Sequence, residues 1–155
     1  MDNQVFLSAN GKIKGADAVA ALLVLEDGRY IMQLRDPKPE IFYPDHWGCF
    51  GGAVDAGEVP EQTLRRELYE ELEFSLDEAR EFTRFDFDFT RLGQRSVYRI
   101  YYEVPVSAPA FSRFALHEGA RFHAFSAAEI LLQPRVNPYD AFAIWLHCKR
   151  ERFGS

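Results

Sequence analysis

The sequence predicts one mixed α+β domain spanning residues 1–155, and three patterns predict it. Apolar runs bounded by turn residues occupy the first third, an acidic amphipathic helix follows near residue 60, and alternating strand patterns then give way to helix patterns. Strands, a helix, strands again and then helices make an α+β or mixed α/β order, unlike the regular alternation of a doubly wound sheet. A length of 155 residues with 47% hydrophobic content suits a single domain with a substantial core.

Met1 to Lys14 shows no clear period and reads as a loose lead-in or an edge strand. Ala18 to Leu25 is apolar at nearly every position, which predicts a central strand covered on both faces. Asp27-Gly28 then turns the chain, with positive φ at the turn, into a second strand from Arg29 to Leu34. Asp36-Pro37-Lys38-Pro39-Glu40 is a loop, because two prolines cannot donate to a ladder. A Gly-rich loop reaching Glu58 leads into a helix from about Pro60 to Leu72; proline suits a first helical turn and Glu61 favours its positive end. Phe85 to Phe89 alternates with period two, Arg91 to Gln94 turns, and Ser96 to Val104 forms the second arm of a hairpin that Pro105 to Pro109 breaks. Ala120 to Phe125 is a further short strand. Ser126 and Glu129 have the spacing of a capping box, opening a short helix that ends before Pro134. Asn137-Pro138 starts the last helix, with Ala141, Phe142, Trp145, Leu146 and Cys148 as its expected apolar stripe.

Composition excludes several function classes. No run approaches the roughly 20 apolar residues of a membrane span, and Met1 to Gln4 lacks the pattern of a signal peptide, so a soluble cytoplasmic protein with no membrane partner is expected. Cys49 and Cys148 share no metal-ligand spacing with the four histidines and make no disulfide framework. A net charge of −6 without a basic run argues against nucleic acid as a partner.

The acidic helix carries the chemistry. At about 100° per residue, Glu70 lies about 60° to one side of Glu67 and Glu71 about 40° to the other, so three carboxylates share one face. Like charges so close repel, and a hard divalent cation relieves that repulsion. Oxygen ligands suit magnesium, with manganese as the alternative. Leu64, Leu68 and Leu72 recur every four residues beside this face, so one flank is buried while the next looks into a site.

The spacing Gly52, Glu58, Arg66-Glu67-Leu68, Glu70-Glu71 and Phe74 resembles the signature of the Nudix hydrolases. Glu73 departs from it, standing where the family has glycine. A glutamate there cannot enter a left-handed cap cheaply, so the helix either runs on or turns differently, with an ion pair from Glu73 to Arg66 as one outcome. The resemblance implies an α/β/α sandwich around a mixed sheet and a metal-dependent pyrophosphohydrolase, in which water attacks phosphorus in a nucleoside diphosphate linked to another group. Nucleotide sugars lead nucleoside triphosphates and dinucleotides as the substrate. By position, the resemblance makes Glu70 and Glu71 principal metal ligands, Glu67 a ligand or general base, and the Gly51 carbonyl a further ligand. Arg66 orients the carboxylates with Glu58 in support, Gly52 allows close approach, and Glu118 matches a late ligand or base. Arg35, His46 and Trp47 are candidate substrate contacts, set against a surface ion pair for the first and packing for the others. A homodimer is compatible with the aromatic strands and with family habit. Two rival readings share the resemblance: a non-catalytic module binding a nucleotide or sugar, and an isoprenoid diphosphate isomerase, for which neither cysteine has a matching context.

Overall fold

The computed structural model describes residues 6, 7 and 10–154. The strands are β1 (Ala18–Leu25), β2 (Tyr30–Leu34), β3 (Trp47–Gly48), β4 (Phe50–Ala53), β5 (Arg80–Phe87), β6 (Val97–Val106) and β7 (Arg121–Phe125). The helices are α1 (Pro60–Leu72), α2 (Ala108–Ser112), α3 (Ala127–Leu132) and α4 (Pro138–Cys148). Much of the lead-in expected over Met1 to Lys14 lies outside the described residues, and residues 10–14 form no strand.

β1 organises the sheet. One edge pairs in parallel with β6 along its whole length, while the other pairs antiparallel with β4 at Ala18 to Ala21 and with β2 at Leu23 and Val24. β5 extends the sheet beyond β6, and β3 and β7 both pair with β2. Period-two alternation then divides the core. Val19, Ala21, Leu23 and Leu25 pack with Leu64, Leu68 and Leu72 of α1, whereas Ala20 and Leu22 pack with Ile130 of α3 and Ala143 and Ile144 of α4. The result is the expected sandwich, helices on both faces of a mixed sheet. The three leucines of α1 are 0% exposed, and burial of each stabilises the fold by about 1.5–3 kcal/mol.

Several elements differ from expectation. Gly51 and Gly52 are in strand β4, so the loop before α1 begins only at Val54. β5 starts earlier than Phe85, at Arg80, with a bulge between Glu81 and Thr83. β6 continues through Pro105 to Val106. β5 begins at Arg80 opposite Glu103, so Pro105 lies beyond the β5–β6 ladder and its missing N–H leaves no gap there. Residues of the expected break form α2, capped by the Ser107 hydroxyl accepting from the Ala110 amide. In α4 the buried face is Asp140, Ala143, Ile144 and His147, while Phe142 and Trp145 are 53% and 37% exposed. Burying Asp140 and His147 is tolerable because both are bonded: Tyr101, Arg99 and the Cys49 amide donate to Asp140, and His147 joins Tyr30 to Glu103.

The α1 termini follow from local chemistry. Pro60 occupies the first turn, and the Gln62 side chain accepts from the Val59 amide at 3.1 Å. The helix stops at Glu73, which adopts φ 54°, ψ 32° in the left-handed region despite its side chain. Its amide donates to Tyr69 O at 2.8 Å, satisfying a carbonyl of the last turn. Its carboxylate meets His117 and not Arg66, because the left-handed turn carries the side chain off the Arg66 face.

Candidate active site

α1 lies against β4 through the leucine flank, and its acidic flank overhangs the glycine pair of that strand. A Cβ on Gly52 would collide with the Glu67 carboxylate, and one on Gly51 would collide with the Val19 carbonyl of β1. Gly52 is therefore a condition for the position of Glu67, and Gly51 for the approach of β4 to β1.

Glu67, Glu71 and Glu118 each place a carboxylate oxygen within 4.8 Å of the others. Glu118 arrives from the 115–119 loop, held to the end of α1 by the His117 amide donating to Glu71 O at 2.8 Å and the Ala115 amide to Leu72 O at 3.1 Å. Glu71 is only 3% exposed and, among the described residues, its Oε2 has no hydrogen-bond partner. Burial first, and then the charges of Glu67 and Glu118, push its carboxyl up to about 9. Burial also raises Glu67, against the opposing pull of Arg66. A buried carboxylate with an orphaned oxygen, set beside two further carboxylates, fits a divalent cation, which would offset most of their negative charge and supply the coordination that hydrogen bonds leave open.

Glu70 stands outside this triad. It is 57% exposed at the side chain, bonds Arg66 Nη1 at 3.2 Å, and lines the same cavity. Arg66 is the hub of the outer face. Its Nε donates to Glu58 Oε2 at 2.8 Å, its Nη2 to Glu58 Oε1 at 2.9 Å, and its Nη1 to Glu67 Oε1 at 2.9 Å. The two-point contact with Arg66 lowers Glu58 to about 2, and the Thr63 hydroxyl also donates to it.

A cavity of about 590 Å³ opens beside the triad. Arg35 is on its wall, as are Gly51, Gly52 and Glu118. His46 and Trp47 are not. His46 bonds the Pro44 carbonyl, and Trp47 packs edge-on to Phe125 at 4.9 Å, so both side chains are buried and held by packing behind the cavity wall. Across the cavity stand Arg99 of β6 and Tyr139 of α4, which no motif in the sequence marks, together with the hairpin aromatics Tyr98, Phe87 and Phe89. Arg99 is 13% exposed, lies 5.1 Å from the centre of the Tyr139 ring, and pairs with the buried Asp140 at 3.2 Å. Asp140 also accepts from Tyr101 Oη and the Cys49 amide, tying α4 and β6 to the start of β4. The signals were a lone arginine in an apolar strand and an aspartate in a first helical turn, where a helix-dipole role hides a buried one.

A model of the Nudix domain matches residues 14–146. The chain belongs to the Nudix hydrolase family. Members of this family act on phosphoric anhydride bonds and generally use divalent metal ions. Among solved structures, the Nudix fold here is similar to the MutT protein of Methanosarcina mazei Go1, with TM-score 0.72 and 20% identity over 94% of this chain and 100% of that one. It is also similar to the E. coli dihydroneopterin triphosphate pyrophosphohydrolase, with TM-score 0.65 and 19% identity over 86% and 95%. The Nudix domain of Shewanella oneidensis NrtR, complexed with ADP ribose, gives TM-score 0.66 and 19% identity over 99% and 100%. At such identities the likeness is one of fold. No curated protein sequence matches the chain. Among the described residues, no helix of this Nudix protein is long and apolar enough to cross a membrane.

Proposed function

We propose that this Nudix protein is a magnesium-dependent pyrophosphohydrolase, with manganese able to substitute. Its proposed substrates are small molecules in which a nucleoside diphosphate is linked to another group, nucleotide sugars foremost. The observation that carries the reading is the convergence of Glu67, Glu71 and Glu118 on one side of a cavity, with a buried Glu71 oxygen that none of the described residues satisfies. When bound, the cation neutralises diphosphate charge and lowers the pKa of water.

The chain's own residues do the rest. Glu67, Glu71 and Glu118 would hold the cation, with Glu70 at the rim and the Gly51 carbonyl as a further oxygen donor. Arg66, fixed by Glu58, holds Glu67 Oε1 and offsets part of the negative charge that Glu67 brings beside Glu71. Glu67 and Glu118 are the groups placed to accept the proton of the attacking water. Water attacks phosphorus, the anhydride P–O bond breaks, and two phosphate-bearing products leave. Arg35 supplies a positive charge on the wall for a phosphate, and the Phe87, Tyr98 and Tyr139 rings offer faces for a planar base. ADP ribose bound to the similar domain of NrtR supports a ligand of this class.

The three carboxylates favour hydrolysis over a non-catalytic binding module. The test is turnover of a panel of nucleotide sugars, dinucleotides and nucleoside triphosphates with magnesium, with manganese and with EDTA, followed by product analysis. Cation-dependent release of a nucleoside monophosphate from a nucleotide sugar is expected; tight cation-independent binding without turnover would overturn the proposal.

A further inference from the structure

We infer that Glu73, the residue in place of the signature glycine, is a positioning residue that clasps the 115–119 loop through His117 and thereby holds Glu118 at the carboxylate centre. The inference rests on the proposed role of Glu67, Glu71 and Glu118 as the cation site. Glycine would end α1 in the left-handed region without steric cost, and glutamate ends it there at a cost. Its side chain does what glycine cannot. Glu73 Oε2 lies 2.9 Å from His117 Nε2, which donates to it.

Three contacts thus strap the loop to the end of α1: the Ala115 amide on Leu72 O, the His117 amide on Glu71 O, and the His117 ring on Glu73. At its far end the loop is tied to β2, where the Ala120 amide donates to Leu34 O at 2.9 Å and Gly119 takes φ 82° close against Gln33. Glu118 sits between these anchors, exposed to solvent itself, with its carboxylate near two others. Before a cation binds, the carboxylates of Glu67 and Glu118 repel, and the exposed one, Glu118, is the one free to swing away. The side-chain clasp is a local brake on that motion, attached one residue from Glu118 and two from Glu71. Both clasp residues are 54% exposed, so the contact adds little to global stability, and its effect is on where the loop stands.

The variants are Glu73→Gly, Glu73→Gln and His117→Ala. In the cation-free protein, Glu73→Gly should speed hydrogen exchange at the Ala115 and His117 amides about 5-fold, the factor that one lost hydrogen bond gives. Exchange at Leu64 and Leu68 should stay unchanged. Turnover should fall about 10-fold, with a higher magnesium requirement and an unchanged substrate KM. Because glycine relieves the left-handed strain, the melting temperature should not fall. Glu73→Gln keeps an acceptor for the His117 ring and should restore exchange and most of the turnover, and adding His117→Ala to Glu73→Gly should bring no further loss. Wild-type exchange or wild-type turnover in Glu73→Gly would overturn the inference, as would a loss of turnover that merely follows a lowered melting temperature. Should the wild-type protein turn over no substrate, the proposed function fails, and the exchange measurement still decides whether Glu73 holds the loop.

Discussion

Glu71→Gln should make the metal-free protein more stable while removing its dependence on the cation. Glu71 is buried beside two carboxylates, and its carboxyl is raised from an ordinary value near 4.5 to about 9. A raised carboxyl contributes its full stability below pH 4.5, where native and unfolded chains both hold the proton. Stability is then lost as pH climbs toward about 9, because the unfolded chain ionises freely and the native one does not. Each pH unit in that window costs about 1.4 kcal/mol, so at pH 7.5 the metal-free fold is weaker by about 4 kcal/mol than with a permanently neutral group. Glutamine is neutral and of the same shape. Its buried amide must find acceptors, and imperfect pairing costs about 1–3 kcal/mol, although Glu67 and Glu118 stand close enough to supply them. A net gain of about 2 kcal/mol remains, which raises the melting temperature by roughly 4–8 °C for a domain of this size. The assay is thermal unfolding in EDTA at pH 7.5 and pH 5, repeated with magnesium. Wild type should gain stability from magnesium and Glu71→Gln should not. A variant that melts at or below wild type in EDTA at pH 7.5, or a gap that does not shrink at pH 5, would refute the reasoning.

Other outcomes follow from the same geometry. Gly52→Ala should reduce turnover sharply with little change in the circular dichroism spectrum, because the new methyl displaces the Glu67 carboxylate. Arg66→Lys should lower turnover about 10- to 100-fold, since an ammonium cannot reproduce the forked contact with Glu58 while also bonding Glu67; steady-state kinetics decides it. Arg99→Met should destabilise the fold by about 3–5 kcal/mol in urea titrations, because it leaves the buried Asp140 without its charge partner. Magnesium binding at pH 7.5 should release close to one proton from Glu71, measurable by calorimetry in two buffers of different ionisation enthalpy.

Legibility in the sequence followed physical period. α1 was readable in its start and its course because proline marks the first turn and two periodicities, leucine and carboxylate, run through it in register. β1 was readable as central because it is apolar on both faces. β3 and β4 were not, since glycines and two- to four-residue lengths carry no alternation and their strand character comes from pairing with β1 and β2. The stripe expected on α4 failed because Asp140 and His147 are inside and hydrogen-bonded, which turns the helix so that Phe142 and Trp145 face outward. The end of α1 was legible as a difficulty but not in its solution: only the folded chain brings His117 to the Glu73 carboxylate. In the site, acids within one helix could be read from spacing, whereas Arg99 and Asp140 meet across 41 residues, and no local pattern joins them.

Hydrolysis in oxygen-18 water, followed by phosphorus NMR, tests the central claim most directly. With magnesium and a nucleotide sugar, wild type should place one heavy oxygen on a phosphate product, and the signal should vanish with EDTA or in Glu71→Gln. Turnover that persists without a divalent cation, or that survives intact in Glu71→Gln, would contradict the assignment of Glu67, Glu71 and Glu118 as the centre of the reaction.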